Sequence, residues 1–204
     1  MKDEKTRIYL LRHGETANTK GEFRYNGHFD VDLTEEGERQ LSLQAKKIKN
    51  RPLARIYSSG LVRSVKGAGA IAEEVVADVR HDERLKEIAA GRWEGLTMKE
   101  VLERFPHEFE RRFEDIVNYR VHDGGENLID VRNRALSALA EIVERHKGKE
   151  VAIVGHGGTN RIILCEAMGL ELKNLLRIEQ DFGCMNIIDY YDGTSVVKLL
   201  NQRP

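Results

Sequence analysis

Two histidines each follow a short apolar run, and each has a glycine beside it. The run at 8–11 leads into Arg12 and His13, and the run at 151–154 leads to His156. Apolar runs of this kind are typical of buried parallel strands, which deliver reactive groups to the carboxyl edge of a sheet. Two imidazoles beside an arginine would form a pocket for an anion. The sequence therefore predicts a phosphate site where two strands, far apart in the chain, come to an end.

His13 is the residue in this pattern that could react. Gly14 leaves room for a backbone carbonyl near the ring, and a histidine that donates one N–H to such a carbonyl keeps a lone pair on its other nitrogen. We expect His13 to attack phosphorus and Arg12 to hold two phosphate oxygens with its planar guanidinium. A single His-Gly pair is more often an exposed turn, but the second strand-terminal copy favours function.

A metal site is the alternative for the same residues. His13, Glu15 and His156 are all of ligand type, but the cation of Arg12 beside them would repel a metal ion. We therefore predict that no metal is bound and that side chains supply the positive charge.

Arg63 could add to that charge. The segment 58–63 has the pattern of a strand end, a turn and a helix start, which would bring a guanidinium and the positive end of a helix to the same side. A solvated surface arginine is the alternative for Arg63.

Strand and helix patterns alternate along the chain, which predicts an α/β fold: a three-layer sandwich with a mostly parallel central sheet flanked by helices. The predicted strands are 8–11, 55–59, 76–79 and 151–154, followed by a hairpin of 185–191 and 195–200. The predicted helices are 33–50, 61–75, 127–148 and 159–168, with Thr34 and Asn127 as caps. Gly67 and Gly69 each cost the second helix about 1 kcal/mol relative to alanine, so we expect close packing at both positions.

One segment departs from this alternation. Residues 88–125 read as a helical insertion with a capping box at Thr97 and Glu100 and an interruption at Pro106. We interpret it as a lid within a single domain that spans 1–204.

Composition excludes several classes of partner. With 33 basic and 34 acidic residues, the chain has no excess charge for nucleic acid or an anionic membrane. No apolar window approaches the roughly 20 residues of a membrane span, and Met1 to Arg7 lack the apolar stretch of a signal peptide. We expect a cytoplasmic protein in which Cys165 and Cys184 serve as packing residues.

A series of motifs makes the functional prediction specific. In order they are Leu11-Arg12-His13-Gly14-Glu15-Thr16, Leu33-Thr34-Glu35-Glu36-Gly37, Tyr57-Ser58-Ser59-Gly60-Leu61-Val62-Arg63, Leu85-Lys86-Glu87, Gly91-Arg92-Trp93-Glu94-Gly95, Gly124-Gly125-Glu126 and Gly155-His156-Gly157-Gly158. With these motifs in this order, the chain resembles the histidine phosphatase superfamily, in its phosphoglycerate mutase-like branch. Within that branch it most resembles the α-ribazole phosphatase-like phosphatases. The resemblance implies that His13 becomes phosphorylated, that Arg12, Arg63 and His156 line the phosphate pocket, and that Glu87 shuttles the proton. It implies no metal or organic cofactor.

Substrate recognition is less specific in the sequence. Many family members place an asparagine six residues after the nucleophilic histidine, where this chain has Thr19 and, next to it, Asn18. The residues expected to bind substrate are Asn18, Thr19, Arg24, Tyr25, Asn26 and Gly157. Arg111, Arg112, Arg120 and His122 could recognise a second anion or could form a solvated face.

The predicted function is a phosphomonoesterase acting on a small phosphorylated metabolite, since the 91–95 motif resembles that of the phosphatase members. A phosphoglycerate mutase-type phosphotransferase and a phosphate-binding member without turnover are the alternatives. Phosphoserine, a nucleotide-loop phosphate and small sugar phosphates all fit as substrates. The C-terminal hairpin could supply an exposed edge for a homodimer.

Overall fold

The computed structural model describes residues 4–19 and 21–204. Met1–Asp3, which belong to the charged N-terminal segment, and Lys20, in the loop before Arg24, lie outside the described residues. The strands are β1 (Thr6–Arg12), β2 (Leu53–Ser58), β3 (Val79–His81), β4 (Glu150–Gly155), β5 (Met185–Tyr191) and β6 (Thr194–Gln202). The helices are α1 (Glu35–Ile48), α2 (Val62–Glu74), α3 (Met98–Arg104), α4 (Pro106–Glu114), α5 (Leu128–Arg145) and α6 (Gly157–Met168). Short 3₁₀ helices lie at Glu83–Leu85, Gly91–Trp93 and Leu172–Arg177.

The described strands form one sheet in the order β3-β2-β4-β1-β5-β6. Strands β3, β2, β4 and β1 run parallel, while β5 and β6 add antiparallel pairs at one side. Side chains of β1 alternate between two buried faces: Ile8 and Leu10 join the core under α5 and α6, and Tyr9 and Leu11 join the core under α1 and α2. The predicted three-layer α/β fold with a mostly parallel sheet is confirmed.

Caps fix where the flanking helices begin. The Thr34 hydroxyl accepts the Gly37 N–H at 2.9 Å at the start of α1, and Asn127 forms a reciprocal capping box with Asp130 at the start of α5. Each helix then buries an apolar face on the sheet. Among the described residues, no helix is long and apolar enough to cross a bilayer.

Two of the predicted boundaries that differ from the structure have a local physical reason. The third strand is Val79–His81 rather than 76–79, because Val76 is fully exposed and the pairing with β2 begins only where Val79 lies opposite Ile56. Helix α6 begins at Gly157 rather than at Thr159. His156 already takes the extended conformation of a cap, and its carbonyl accepts the Asn160 N–H at 2.8 Å.

The two glycines of α2 differ in their surroundings. A Cβ on Gly67 would lie 2.9 Å from Cγ1 of Val154 and 3.0 Å from Cδ1 of Leu41, so close packing is confirmed there. A Cβ on Gly69 would meet nothing within 4 Å, so the same expectation was wrong for Gly69.

The segment 88–125 contains α3 and α4, which are separated at Phe105 and Pro106, where the sequence predicted an interruption. Its first part holds only a 3₁₀ turn at Gly91–Trp93, and the predicted capping box of Thr97 and Glu100 is present at the start of α3. Pro106 occupies the first turn of α4. A small apolar cluster, which includes Trp93 and Val101, holds the segment together.

Candidate active site

The fold brings the two predicted histidines together. Strands β1 and β4 are parallel neighbours in which Arg12 lies opposite Gly155, and the His13 N–H donates to the Gly155 carbonyl at 3.1 Å. The rings of His13 and His156 have centroids 5.2 Å apart, and both side chains are buried. Two strand ends that are remote in sequence therefore form one site.

A single hydrogen bond sets the chemistry of His13. Its Nδ1 lies 2.8 Å from the Gly14 carbonyl oxygen, which only an N–H donor satisfies, so the lone pair is on Nε2. Burial lowers the pKa of His13 well below its ordinary value of 6.5, and the charges of Arg12 and Arg63 lower it further. The ring is thus neutral at physiological pH and is available as a nucleophile. Gly14 is required because a Cβ there would lie 2.1 Å from the Gly37 carbonyl oxygen.

His156 is oriented by Ser59. The Ser59 hydroxyl accepts the Leu61 N–H at 3.3 Å, and among the described residues the one acceptor that its own proton reaches is Nε2 of His156, at 2.7 Å, so the hydroxyl donates to that nitrogen. The ring proton is then on Nδ1, a buried atom with no protein partner among the described residues. Burial, followed by the Arg63 charge, lowers the pKa of His156 well below 6.5. His156 is therefore a neutral donor for an anion.

Arg12 and Arg63 supply the positive charge of the site. Arg12 donates to the Gln180 carbonyl at 2.6 Å, and its guanidinium carbon lies 3.9 Å from the centre of the Phe182 ring. Burial lowers the pKa of Arg12 to about 10, so it stays charged at neutral pH. Arg63, in the first turn of α2, donates to the carbonyls of Gly27 at 2.7 Å and Phe29 at 3.0 Å.

Glu87 lies against the first turn of α6. Its Oε2 accepts the Gly158 N–H at 2.9 Å, and its Oε1 accepts the N–H groups of Thr159 at 3.1 Å and Ile88 at 2.9 Å. Since Oε2 accepts only one of these three bonds, it retains a lone pair that can carry a proton. The carboxylate lines the same cavity as His13.

A half-buried ion pair holds the backbone of Glu87 in place. Arg134 on α5 binds the carboxylate of Glu126 through two hydrogen bonds, of 2.8 and 2.7 Å, and donates to the carbonyls of Lys86 and Glu87. A ring nitrogen of His28 also lies 2.9 Å from the Glu87 carbonyl oxygen. The roles of Arg134 and His28 could not be predicted from the sequence, because no local motif marks a side chain that acts on a remote backbone.

Five of the six predicted substrate residues line one cavity of about 560 Å³. Thr19, Arg24, Tyr25, Asn26 and Gly157 line it, together with Arg12, His13, Arg63 and Glu87.

Asn18 does not line this cavity. Its side-chain amide donates to Asn26 at 2.6 Å, so the structure gives Asn18 a supporting position behind Asn26. Thr19 and Asn26 line the cavity, so the predicted contribution of Asn18 to substrate binding would act through Asn26.

Much of the cavity wall is apolar, and most of that wall was not predicted. The residues concerned are Phe23, Ile88, Trp93, Ile116, Val121, Leu175, Leu176 and Phe182, and Arg161 adds a further cation. The segment 88–125 contributes several of these side chains, so it borders the site as expected of a lid. Phe182 lies in a loop before β5, and no local pattern in the sequence marked it as part of the wall.

The arginines of the 88–125 segment divide into two groups. Arg112 lines the main cavity. Arg111 and Arg120 line a separate polar depression with His122, and Arg120 pairs with Asp130 at 2.7 Å. The solvated-face interpretation therefore fits Arg111 and Arg120 but does not fit Arg112.

Across residues 4–19 and 21–204, no three His, Cys, Asp or Glu side chains converge as a metal site would require.

The fold and the paired histidines define a class of protein. A family model described as Histidine phosphatase superfamily (branch 1) matches residues 8–203, and the chain belongs to this superfamily. Phosphoserine phosphatase 1 of Hydrogenobacter thermophilus is 34% identical over 197 residues, which cover 96% of this chain and 92% of the relative. The metal-independent phosphoserine phosphatase of Arabidopsis thaliana is 35% identical over 167 residues, which cover 80% of this chain and 69% of the relative.

The solved structure of the α-ribazole phosphatase from Shigella flexneri has the same fold. The two structures have a TM-score of 0.87 and 22% sequence identity, and the match covers 96% of each chain. The resemblance inferred from the motifs, including the phosphoglycerate mutase-like phosphatases, is confirmed at the level of family and fold.

Proposed function

We propose that the protein hydrolyses small phosphomonoesters through a phosphohistidine intermediate on His13, without a metal. The observation that carries the proposal is the 2.8 Å contact between His13 Nδ1 and the Gly14 carbonyl, which leaves a neutral Nε2 lone pair beside three groups that bind anions. Those groups are Arg12, Arg63 and His156. Fixed positive charge of this kind is the main means by which enzymes stabilise phosphoryl transfer.

In the first half of the reaction, Nε2 of His13 forms a bond to phosphorus as the bond to the leaving oxygen breaks. Arg12, Arg63 and Nδ1–H of His156 stabilise the charge on the equatorial phosphoryl oxygens. Glu87 gives its proton to the leaving oxygen, and the alcohol departs.

In the second half, water replaces the alcohol. The Glu87 carboxylate takes a proton from the water as its oxygen bonds to phosphorus, and the bond between phosphorus and Nε2 breaks. Inorganic phosphate leaves, His13 is again neutral, and Glu87 again carries a proton. Each group therefore returns to its starting state without a cofactor.

The relatives support hydrolysis rather than transfer, since three of them bear the name phosphatase. Their substrates differ, so these names support the phosphomonoester class and not one substrate.

The direct test is to trap the intermediate. Wild-type protein mixed with a ³²P-labelled phosphomonoester and quenched in alkali should carry label that is released by acid, which is the behaviour of phosphohistidine. His13→Ala should carry no label and should lose turnover of every substrate, because the nucleophile is gone. His107→Ala is the matched control, since the His107 side chain is almost fully exposed on α4.

Two results would contradict the proposal. Label or turnover retained in His13→Ala would exclude His13 as the nucleophile. Conversion of 3-phosphoglycerate to its 2-isomer without phosphate release would instead identify a mutase.

A further inference from the structure

The side chain of His28 connects a turn of the chain to the backbone of Glu87. In this turn, residues 26–29, the Phe29 N–H donates to the Asn26 carbonyl at 2.7 Å. The His28 ring extends from the turn, and its Nε2 lies 2.9 Å from the Glu87 carbonyl oxygen. A carbonyl oxygen can only accept, so Nε2–H is the donor in this bond, whether the ring is neutral or charged.

The 26–29 turn is fixed in place by contacts to its backbone. The buried side chain of Arg63 donates to the carbonyls of Gly27 at 2.7 Å and Phe29 at 3.0 Å. The carboxylate of Glu94 accepts the backbone N–H of His28 at 2.8 Å. None of these three bonds involves the imidazole. The ring is therefore a donor on a rigid support, and its removal leaves the support intact.

The backbone of Glu87 depends on such donors. Residues 86–90 belong to no helix or strand and lie between the 3₁₀ turns at Glu83–Leu85 and Gly91–Trp93. Arg134 of α5 donates to the Glu87 carbonyl at 2.9 Å, so this donor and His28 together use both lone pairs of the oxygen. Two donors from different elements fix the direction of a carbonyl group, whereas one donor alone would let it pivot.

His28 does not itself reach the substrate cavity. Asn26 and Gly27 line the cavity, but His28 does not. A Glu126 oxygen lies 3.9 Å from Nε2, which is too far for a hydrogen bond, so the Glu87 carbonyl is the bonded partner of this nitrogen. Any effect of the imidazole on the reaction therefore passes through Glu87 rather than through contact with substrate.

We propose that His28 is a positioning residue for proton transfer: its bond to the Glu87 carbonyl sets the distance between the Glu87 carboxyl group and the leaving oxygen. This inference rests on the proposed function, in which Glu87 gives its proton to that oxygen. Proton transfer needs a separation of about 2.6–3.2 Å, and a misplacement of about 1 Å can cost about 10²-fold in rate. Arg12, Arg63 and His156 make no contact with the His28 ring. Loss of the ring should therefore slow only the reactions that need the proton.

The test compares two substrates that differ in their need for a proton, glycerol 1-phosphate and p-nitrophenyl phosphate. His28→Phe keeps a planar ring but has no N–H to donate. Rapid-quench measurement of phosphoenzyme formation should show a fall of about 5- to 20-fold for glycerol 1-phosphate and of less than about threefold for p-nitrophenyl phosphate. The inhibition constant of inorganic phosphate should change less than about twofold, because the groups that bind phosphate keep their own contacts.

Three further variants sharpen the test. His28→Gln carries an amide N–H at nearly the reach of Nε2 and should recover the rate on glycerol 1-phosphate to within about threefold of wild type. In a Glu87→Gln background, His28→Phe should add no further selective loss, because the two residues act on one step. His107→Gln changes an exposed histidine of α4 and should match wild type on both substrates. Thermal unfolding of each variant checks that the fold is retained.

The outcomes separate this inference from the proposed function. If His28→Phe slows both substrates equally, or slows neither, the positioning role of His28 is overturned while the phosphatase remains. A folded His28→Gln variant that is as slow as His28→Phe overturns it as well. If Glu87→Gln alone shows no selective loss on glycerol 1-phosphate, the assignment of Glu87 as proton donor fails and the inference fails with it.

Discussion

Oε2 of Glu87 lies 2.9 Å from the backbone nitrogen of Gly158, two residues after His156. The proposed proton donor and His156 are therefore held by the same helix start. Any movement of the first turn of α6 would displace both groups together.

Glu87→Gln should discriminate between leaving groups. The amide keeps the size of the side chain but has no proton to donate. An alkoxide is a poor leaving group and depends on general acid catalysis, whereas nitrophenolate is stable as an anion. We expect phosphoenzyme formation from an alkyl phosphate to fall about 10²- to 10⁴-fold, and formation from p-nitrophenyl phosphate to fall far less. Rapid-quench measurement of the labelled protein isolates this step.

Glu15→Gln is the matched comparison for that experiment. Glu15 also lines the cavity, but its carboxylate accepts the Thr34 hydroxyl at 2.9 Å, next to the start of α1. Its substitution should slow both substrates to a similar, small extent. The opposite pattern, with selective loss on the alkyl ester in Glu15→Gln alone, would transfer the acid role to Glu15.

Gly69→Ala should stabilise the protein. A Cβ at position 69 meets nothing within 4 Å, so alanine removes the helix penalty of glycine without a clash. We expect the free energy of unfolding to rise by about 0.5–1 kcal/mol. Gly67→Ala tests the same substitution two residues away, where the Cβ would lie 2.9 Å from Val154, and overpacking should cancel or reverse the gain. Urea unfolding measures both, and equal gains would show that α2 is not tightly packed at Gly67.

Stability should fall as the pH is lowered below about 6.5. The pKa values of His13 and His156 are held well below that value in the folded chain, while the unfolded chain binds protons on both imidazoles near their ordinary pKa. The unfolded state then takes up more protons, so the free energy of unfolding decreases with falling pH. Each histidine accounts for about 1.4 kcal/mol of loss between pH 7.5 and pH 5.5.

Replacing one of these histidines should reduce the pH dependence. The difference in unfolding free energy between pH 7.5 and pH 5.5 should be smaller in His156→Gln than in wild type by about 1.4 kcal/mol, whatever the stability of the variant at either pH. The exposed His107→Gln should leave the difference unchanged. A His156→Gln variant that loses as much stability as wild type would mean that His156 is protonated in the folded state.

Removal of metals should leave turnover unchanged. The positive charge that the reaction needs is present in Arg12 and Arg63, so EDTA should alter kcat/KM by less than about twofold. A metal-dependent phosphatase treated in parallel shows that the chelator is effective. Activity that disappears with EDTA and returns with a divalent ion would count against the histidine mechanism.

The groups that could be predicted from the sequence are those whose position depends on strand ends. Because parallel strands deliver their last residues to one edge of the sheet, His13 and His156 could be brought together on the strength of two apolar runs. Arg63 followed in the same way from a strand, a turn and a helix start. Local patterns also located the caps at Thr34, Thr97 and Asn127.

The remaining site depends on contacts between segments with no local signature. Arg134 acts on the backbone of Glu87 from a helix more than forty residues away, and Phe182 reaches Arg12 from a loop near the other end of the chain. The difference between Arg111 and Arg112 depends on the rotation of α4 against the cavity. Periodicity did not fix that rotation, because α4 carries charged residues on more than one side.

The strands that pair with β1 determine when during synthesis this part of the sheet can form. Both strands that flank β1, namely β4 and β5, begin at Glu150 or later. During synthesis, the segment with His13 leaves the ribosome before either of its partner strands, and it stays unpaired on both sides until residues beyond Glu150 have been made. A chain that stops before Glu150 has no His156 and no partner for β1, so truncated products contribute no fractional turnover. Turnover in any preparation therefore comes only from molecules in which β1 has paired with β4 and β5.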